Sequence, residues 1–510
     1  MNNNRTRRRA FFPCHTWLFE HRAQSSVDDA ARARALSCGE IATRGISRSS
    51  SFASASRGDR DSPSATVARV VPGYRQIYLI GMISSRSLAC VSAERARTCA
   101  GCTSSGRAHA RSKLPRAAAV RAGAFSQEYD VVALGNLCVD VLLPPAPIPD
   151  ESSLKTKKTL SELAKTAPAR ESWELGGNCN FLIAASRLGL RATCAGHVGK
   201  DQYGHFLIDE LAHEGVDYVE LIPDDDQGVR VSALGETLIC FVLSDGAGGH
   251  AFCSRYDLGP WPLMRDVKDV SNDAREVLRS CRAVFVNGFV FDELKPQAVE
   301  QALNLSKSNG AGVFFDPGPR AFTFVDAENP TRMEALDVAL TNSDVVLATE
   351  EELAALTGVP VNSAPEEYAA AVFAYPESAA EWVVVKLGPA GATIVTRDGQ
   401  SARVGCPKVK VGDTVGCGDS SAGAYVLGYL RMRTDRTLDL ASVLETTATL
   451  ATHVGSATAM NIGAGRNVAT AETVLDLLEQ AANGQTNGVD KNVAVLAQNI
   501  LRQSLDSAVA

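Results

Sequence analysis

The stretch Val411–Leu430, VGDTVGCGDSSAGAYVLGYL, combines glycines and two aspartates with the start of an apolar helix. Glycines permit backbone conformations closed to other residues, and the first turn of a helix leaves amides without intrahelical partners. The amides of Gly416, Cys417 and Gly418 are therefore predicted to form an anion cradle with the helix dipole. The carboxylate of Asp419 could take a proton from an attacking hydroxyl as phosphate transfers. A capped helix with a glycine turn remains the alternative.

The elements that would position this stretch are buried strands that alternate with helices. Helical patterns lie between most of the apolar, β-branched runs, which begin at Asp130, Arg191, Arg282, Gly312, Ser343 and Glu381. Continuous apolar strands separated by helices predict an α/β fold with a doubly wound, mainly parallel sheet. Ligands of such sheets collect beyond the carboxyl ends of the strands. The polar and glycine-rich segments at those ends are therefore expected to meet in one cleft.

One interval breaks the alternation of strands and helices. Residues Glu236–Asp257, ETLICFVLSDGAGGHAFCSRYD, are two alternating runs around DGAGG, which is a hairpin signature. We call this hairpin the flap. It predicts a small antiparallel element that closes over a ligand as a lid, with a surface ornament as the alternative.

The first 125 residues differ in composition from the rest of the 510-residue chain. They are rich in Arg, Ser and Ala and show no sustained helical or strand period, which is typical of a disordered targeting leader. Met82 opens a segment that has this composition by itself and is a possible alternative start. The net charge of −7 is therefore carried by an acidic body, which argues against nucleic acid as the main partner.

Apolar run length and cysteine use indicate the environment of the mature protein. No stretch approaches the roughly 20 apolar residues needed to cross a bilayer, so no membrane partner is expected. Five of the 13 cysteines lie in the leader, and the other eight are scattered through apolar or glycine-rich segments. This distribution favours a reducing compartment over a disulfide framework.

Several motifs together resemble one family. The pattern D-T-x-G-x-G-D before a small-residue helix is similar to the signature of the ribokinase-like sugar kinases, the phosphofructokinase-B family. Further segments resemble the family's first-strand motif, glycine-pair helix, G-x-D-x-x-G unit and nucleotide-side loop: GNLCVD at Gly135, GGNCNFLIAASRLGL at Gly176, HVGKDQYGHF at His197 and VVVKLGPAGA at Val383. The resemblance covers residues 129–477 and is closest to the plant and algal organellar type.

The resemblance implies a ribokinase-like kinase that transfers the γ-phosphate of ATP to a hydroxyl of a small-molecule sugar or sugar-like alcohol. It implies ATP and Mg²⁺ as cofactors, with K⁺ as a further candidate. The catalytic residues would be Asp419 as general base and Gly416, Cys417 and Gly418 as anion hole. The substrate contacts would be Asp140, Gly177, Asn178 and Asn180. The nucleotide contacts would be Gly388, Gly391 and Thr414. Glu352 would organise Mg²⁺ through water, and Asp413 would help order a monovalent cation.

The sequence departs from the family pattern at four places. Cys417 replaces the usual Ala but keeps the backbone amide. Ser421 replaces a Phe that packs at the helix start, and Thr349 stands where Asn is usual in the N-x-x-E element. The glycine pair is also one residue nearer to Asn180 than in the commonest pattern, which predicts a reshaped sugar pocket.

The expected organisation is a leader at 1–125, a kinase domain at 128–480 and a helical tail at 481–510. The resemblance favours a chloroplast location, with the mitochondrion as the alternative, and a monomer or a homodimer formed through the flap. Two other functions remain open. A nucleoside kinase of the same fold would need a flat apolar slot for the base, and a fructokinase-like plastid protein would be a non-catalytic scaffold. His197 and His453 are predicted to be packed or capping residues.

Overall fold

The computed structural model describes residues 128–165, 169–224, 235–245, 250–326, 328–435 and 439–509. The predicted leader at 1–125 and the tip of the flap at 246–249 lie outside the described residues. The described segments belong to one unit that extends from Ala122 to Ala510.

The strands, numbered in chain order, fall where the apolar runs predict them and at several further places. They are β1 (Tyr129–Leu134), β2 (Leu137–Leu142), β3 (Trp173–Gly177), β4 (Ala192–Gly196), β5 (Asp217–Glu220), β6 (Leu238–Ser244), β7 (His250–Ser254), β8 (Cys281–Asn287), β9 (Gly312–Asp316), β10 (Val345–Thr349), β11 (Trp382–Lys386), β12 (Ala392–Thr396) and β13 (Ser401–Val404).

The helices of the described residues lie mostly between these strands or after the last of them. They are α1 (Glu151–Leu154), α2 (Lys157–Lys165), α3 (Cys179–Arg187), α4 (Gln202–His213), α5 (Asn272–Ser280), α6 (Val290–Glu293), α7 (Pro296–Lys307), α8 (Ala321–Phe324), α9 (Pro330–Asn342), α10 (Glu350–Thr357), α11 (Pro365–Ala374), α12 (Cys417–Thr434), α13 (Leu440–Ala459), α14 (Ala471–Ala482) and α15 (Lys491–Val509).

The large sheet of the described residues has nine strands in the order β13-β12-β11-β10-β9-β8-β1-β4-β5. The pairs from β11 through β5 are parallel, whereas β12 and β13 add an antiparallel edge. The predicted doubly wound, mainly parallel sheet is therefore confirmed. The carboxyl ends of β9, β10 and β11 lie side by side at one edge of this sheet.

The apolar core lies on both faces of the large sheet. Val131 and Ala133 of β1 belong to one buried cluster, and Val132 and Leu134 belong to the cluster on the other face. Each of these side chains is 0% exposed. A strand buried on both faces needs an uninterrupted apolar sequence, and the prediction used this pattern.

A second, small sheet has the order β3-β2-β6-β7. The flap is its β6–β7 hairpin, with Val242 opposite Phe252, as the alternating pattern predicts. The β2–β3 pair is also antiparallel, but β2 and β6 run parallel, with Asp140 opposite Cys240. Asp140 was expected just after the first strand. It instead lies within β2, because the chain turns at Gly135 and Asn136 into a strand of the second sheet.

The two faces of the small sheet have different surroundings. One face carries Val139, Val141 and Phe241 and packs into the main core together with Leu160 and Leu163 of α2. Helix α2 is rich in lysine, and its leucines cover this face of the small sheet. The opposite face carries Asp140, and we call it the cleft face.

The C-terminal helix α15 is packed against the rest of the unit. Ala497 and Leu501 are 0% exposed and belong to the main core cluster. No helix in the described ranges is both long enough and apolar enough to span a membrane.

Candidate active site

The glycine-rich loop before α12 is shaped by a left-handed residue. Gly416 is the N-cap of α12 and has φ +77°, a conformation that side chains with a Cβ rarely adopt. A Cβ at this position would lie 2.9 Å from the Cβ of Ala464. The loop can therefore turn directly into the helix, as the sequence predicts, only with glycine here.

Two of the three predicted cradle amides are free to bind an anion. The N–H of Cys417 donates to the carbonyl of Thr414 at 3.3 Å. Among the described residues, the amides of Gly416 and Gly418 have no hydrogen-bond partner. The prediction of three available amides is thus corrected to two, because the tight turn uses the middle amide itself.

Asp419 lies in the first turn of α12, and its carboxylate is held by Asn180. The Nδ2 of Asn180 donates to the Oδ2 of Asp419 at 3.2 Å. The Oδ1 of Asn180 accepts from the amide of Gly465 at 2.7 Å, and the Asn180 residue is only 4% exposed. Both ends of its amide thus make bonds within the protein, and Asn180 positions Asp419. The predicted contact of Asn180 with the substrate stays a prediction.

The pKa of Asp419 is shifted toward neutrality. The pKa is about 6: burial and the charge of Asp316 raise it, while the bond from Asn180 and the charge of Lys386 lower it. A carboxylate with such a pKa is mostly ionised at pH 7 and is a stronger base than an ordinary aspartate. The electrostatics suit the predicted role as proton acceptor.

A lysine that was not predicted as a site residue lies beside the cradle. The Nζ of Lys386, at the end of β11, lies 2.7 Å from the Oδ2 of Asp316, at the end of β9. The same Nζ would be 3.5 Å from a Cβ built on Gly418. Burial alone would lower the pKa of Lys386, but the charges of Asp316 and Glu352 raise it above its ordinary value. Lys386 thus places a positive charge next to the free amides.

The sequence pattern that could have indicated Lys386 and Asp316 is a charged residue at the end of an apolar strand. The run Trp382–Lys386 is apolar until its last residue, and Gly312–Asp316 likewise ends in a charge. Charged residues that close buried strands lie at the carboxyl edge, where ligands collect. The pairing of Lys386 with Asp316 depends on the strand order, which the sequence alone does not give.

Asp140 and the glycine pair lie together on the small sheet. The pKa of Asp140 is raised to about 7: burial and the charges of Asp419 and Glu174 raise it, while a bond from the thiol of Cys138 lowers it. A Cβ on Gly176 would lie 2.3 Å from the Oδ1 of Asp140. The carboxylate therefore occupies the space that a side chain at Gly176 would take, and Asp140 remains available for substrate hydroxyls.

The next two residues have structural roles. Gly177 has φ +61°, and a Cβ there would lie 2.4 Å from the carbonyl of Asn136. Asn178 is 1% exposed, and its Nδ2 donates to the carbonyls of Leu134 and Gly135. Its Oδ1 accepts from Asn287 at 2.8 Å. This buried side chain ties β1 to the neighbouring segments, and the contact of Asn178 with the substrate stays a prediction.

The three residues predicted to contact the nucleotide differ in their exposure to solvent. Gly388 is exposed in the turn that follows β11 and Lys386. Gly391 is buried, and a Cβ there would lie 1.9 Å from the carbonyl of Val404, so this glycine serves packing against β13. Thr414 is exposed in the loop before α12. Gly388 and Thr414 can approach a nucleotide, whereas Gly391 shapes the turn.

Glu352 and Thr349 form a capping box at the start of α10. The Oγ1 of Thr349 accepts from the amide of Glu352 at 3.3 Å, and the Oε2 of Glu352 accepts from the amide of Thr349 at 2.7 Å. Threonine is a good N-cap, so Thr349 caps α10 as an asparagine would. Burial raises the pKa of Glu352, the charge of Lys386 lowers it and the charge of Asp316 raises it. The predicted metal residue thus lies near the Lys386–Asp316 pair.

The carboxylate of Asp413 links two loops. Its Oδ1 accepts from the amides of Thr414 and Val415, and its Oδ2 accepts from the amide of Gly463 at 3.1 Å. The Nε2 of His250, on β7, lies 4.0 Å from the same Oδ2. These bonds tie the loop before α12 to the loop after α13, and the role of Asp413 toward a monovalent cation stays a prediction.

Other polar residues noted in the sequence are structural. His197 is buried against Glu220, and His453 is 0% exposed, with burial lowering its pKa to about 4. Arg320 pairs with Asp292 at 2.6 Å. Both histidines are packed as predicted.

Known proteins share this sequence pattern. Residues 156–471 match the model of the pfkB family carbohydrate kinases, which is more than half of the chain. The 5-dehydro-2-deoxygluconokinase of Bacillus anthracis is 28% identical over 317 residues, covering 60% of this chain and 84% of the relative. The enzyme of that name from Clostridium botulinum is 24% identical over 312 residues, covering 60% and 82%.

Solved structures share the fold. A fructokinase with bound ATP from Xylella fastidiosa superimposes with a TM-score of 0.52 at 20% identity, covering 69% of this chain and 99% of that one. A ribokinase from Giardia lamblia gives 0.52 at 17% identity with the same coverage. The expected ribokinase-like fold is therefore confirmed. Together with the family match, this identifies the chain as a member of the pfkB family of carbohydrate kinases.

Proposed function

We propose that this kinase transfers the γ-phosphate of ATP to a hydroxyl of a sugar or sugar-like alcohol, with Asp419 as general base. One observation carries the proposal. The carboxylate of Asp419 lies in the same helical turn as the free amide of Gly418, and the ammonium of Lys386 is adjacent. A base beside an anion site is the arrangement that phosphoryl transfer to a hydroxyl requires.

The proposed reaction moves one proton and one phosphoryl group. Asp140 holds a hydroxylated acceptor, and Asp419 accepts the proton of the attacking hydroxyl. The acceptor oxygen forms a bond to the γ-phosphorus, and the bond from that phosphorus to the β–γ bridging oxygen breaks, leaving its electron pair on ADP. The amides of Gly416 and Gly418 and the positive end of the α12 dipole stabilise the charge on the transferring group.

The residues present fit a magnesium ion that arrives with the nucleotide. The described residues include no cluster of three or more acidic, His or Cys side chains able to hold a metal by themselves. The carboxylates of Glu352 and Asp316 lie near Lys386. They can accept hydrogen bonds from metal-bound waters, which Mg²⁺ usually keeps. When bound, Mg²⁺ would neutralise phosphate charge. A potassium ion near Asp413 has weaker support, since backbone amides already use that carboxylate.

The proposal also covers the cellular location, the oligomeric state and the non-catalytic alternative. The composition of residues 1–125 supports delivery to an organelle, with the chloroplast preferred to the mitochondrion. Packing of α2 on the covered face of the small sheet favours a monomer over a dimer formed through that face. A non-catalytic scaffold is less well supported, because Asp419, the cradle and Asp140 are all in place.

The test is ADP production by the purified protein across a panel of acceptors. The panel contains free sugars, polyols, nucleosides and 5-dehydro-2-deoxygluconate, the sugar acid named by the bacterial relatives. We expect acceptor-dependent turnover with at least one class. ADP release that is the same with and without every acceptor would contradict the proposed function and favour the scaffold.

A further inference from the structure

A cavity of about 450 Å³ lies at the amino edge of the large sheet. Asp130 and Arg282 line it from the beginnings of β1 and β8, and Arg191 lines it just before β4. The active site lies at the opposite, carboxyl edge, where β1 leads into the cleft face of the small sheet. Arg431 also lines the cavity and follows Asp419 by more than three turns of α12, roughly 18 Å along the helix axis. A small ligand in this cavity therefore does not touch the proposed base.

The cavity is rich in positive charge. Among the described residues that line it, the charged side chains are those of Arg191, Arg282, Arg431 and Asp130. The Oδ1 of Asp130 accepts from Arg282 at 2.8 Å, and its Oδ2 lies 3.4 Å from the Nε of Arg191. Burial alone would raise the pKa of Asp130, but the bonds from Arg191 and Arg282 hold it below its ordinary value. This one carboxylate neutralises only one of the two guanidinium groups beside it.

Arg431 brings a further positive charge from α12. Its Nη2 donates to the Oε1 of Gln503 on α15, and this amide carries no charge. Helices α12 and α15 both end beside the cavity, where Thr434 and Ser507 are part of the lining. Each helix end adds about half an elementary negative charge. The three arginines outweigh these helix ends and Asp130 together, so the cavity attracts anions.

The remaining lining combines apolar and polar side chains. Leu190, Leu427 and Leu430 are buried, whereas Ser507 and Thr434 are exposed. A concave site of this size, with apolar walls and a few convergent charged groups, is typical of small-molecule binding. The leucines can pack against a carbon skeleton while the guanidinium groups bind its anionic group.

Part of the wall comes from a segment beyond the family match, which ends at residue 471. Ile500, Gln503 and Ser504 of α15 line the cavity together with Gly189. A Cβ on Gly189 would lie 2.7 Å from the carbonyl oxygen of Ser504, so glycine lets α15 approach this closely. The cavity therefore depends on the C-terminal helix of this chain.

We propose that this cavity binds a small phosphate monoester, with the phosphate held by Arg282 and Arg431 and the carbon skeleton packed on the leucines. A guanidinium group presents parallel N–H donors that match two phosphate oxygens. A phosphate monoester carries close to two negative charges at pH 7, which suits a site with more than one arginine left without a carboxylate. The volume is far larger than one phosphate group, so a free phosphate ion would leave the leucines uncovered. This inference goes beyond the proposed function and does not depend on it.

The test is isothermal titration calorimetry of the full chain with ribose 5-phosphate and glycerol 3-phosphate, compared with inorganic phosphate and glycerol. We expect at least one ester to bind more tightly than inorganic phosphate, and glycerol not to bind. Arg431→Gln and Arg282→Gln should each raise the Kd of that ester roughly tenfold or more, because each removes charge-assisted hydrogen bonds.

The matched control is Arg433→Gln. Arg433 is an exposed arginine in the same last turn of α12 and lies outside the cavity lining. Its replacement changes the net charge equally but removes only a screened, distant charge, so the Kd should change by less than about threefold. Thermal unfolding without ligand checks that each variant is folded. Arg431 is only half-buried, so Arg431→Gln keeps the test open if Arg282→Gln does not fold.

The contrary outcomes are distinct. An ester Kd that is the same in Arg431→Gln and the wild type would place the ester elsewhere, such as at the amide cradle, and would overturn the proposal. Equal weakening by Arg433→Gln and Arg431→Gln would reduce the effect to net charge and overturn it too. Inorganic phosphate that binds as tightly as both esters, or no binding of either ester, would also overturn it. The kinase reaction is tested separately by ADP production.

Discussion

The side chain that positions the proposed base is Asn180, which contacts both Asp419 and the amide of Gly465. Sequence resemblance identified Asn180 as important but gave it a direct substrate role. The structure adds an indirect one, because its buried amide contacts Asp419 at one end and Gly465 at the other. Its donated bond stabilises the ionised form of Asp419, and this form is the one a base requires.

Asn180→Ala should shift the pH dependence of kcat upward. Wild-type activity is expected to rise with pH through the Asp419 pKa of about 6. Loss of the donated bond raises that pKa, so the rise occurs at higher pH and the variant is impaired most in acid. The measurement is kcat against pH with saturating substrates, and Asn309→Ala, at an exposed asparagine, is the control. An unchanged profile would show that Asn180 does not act through Asp419.

Asp140→Asn should make stability less dependent on pH. The folded state raises the pKa of Asp140 from 3.8 to about 7, so between these values the folded protein binds more protons than the unfolded chain. Stability from this group is therefore lost as pH rises through that window. Thermal unfolding of wild type and variant at pH 5 and pH 8 tests this, with Asp266→Asn, at an exposed aspartate, as control. A smaller fall in Tm for Asp140→Asn is expected, and an equal fall would contradict the assignment.

At the scale of elements, the small sheet and the carboxyl edge of the large sheet form the site. The hairpin β6–β7 could be predicted because its alternation and its turn are local. The parallel pairing of β2 with β6 could not, since it joins segments about 100 residues apart in the chain. Asp140 was therefore recognised by its motif and placed in the wrong element. The ion pair of Lys386 with Asp316 was missed for the same reason.

Gly176→Ala should weaken acceptor binding by moving Asp140. The new Cβ would lie 2.3 Å from the Oδ1 of Asp140, so the carboxylate has to shift. A displacement of about 1 Å can cost on the order of 100-fold in rate, so we expect kcat/KM for the acceptor to fall by at least tenfold. The KM for ATP should change little. Gly235→Ala, where a Cβ meets no atom of the described residues within 4 Å, is the control. An equal fall in kcat/KM for the two variants would contradict the displacement of Asp140 as the cause.

At the scale of the whole molecule, a nine-stranded sheet with cores on both faces was predictable from uninterrupted apolar runs. The packing of the C-terminal segment was less predictable. The sequence predicted a helical tail at 481–510 without its packing, and the structure has helix α15 there, which buries Ala497 and Leu501 in the main cluster. An amphipathic helix shows an apolar stripe in the sequence, but its packing partner depends on the tertiary structure. The predicted leader stays a prediction.

Leu501→Ala should destabilise the entire unit. Truncating a fully buried leucine leaves a cavity and lowers the free energy of unfolding by about 2 to 5 kcal/mol, and Leu501 is 0% exposed. Leu496 lies on the same helix and is 46% exposed. Leu496→Ala should therefore change the free energy of unfolding by less than about 1 kcal/mol. Urea unfolding of both variants tests whether α15 is part of the core. Similar midpoints for the two variants would show that it is not.

The most direct test of the proposed mechanism is phosphoryl transfer by Asp419→Asn. The substitution removes the proton acceptor and changes little volume, so the thermal midpoint and ATP binding should stay close to wild type. General-base assistance contributes roughly 10²- to 10⁴-fold, so turnover should fall by that factor. The measurement is kcat with the best acceptor of the panel, alongside ATP affinity. A folded variant that keeps more than about a tenth of wild-type turnover would contradict the assignment of Asp419 as the base.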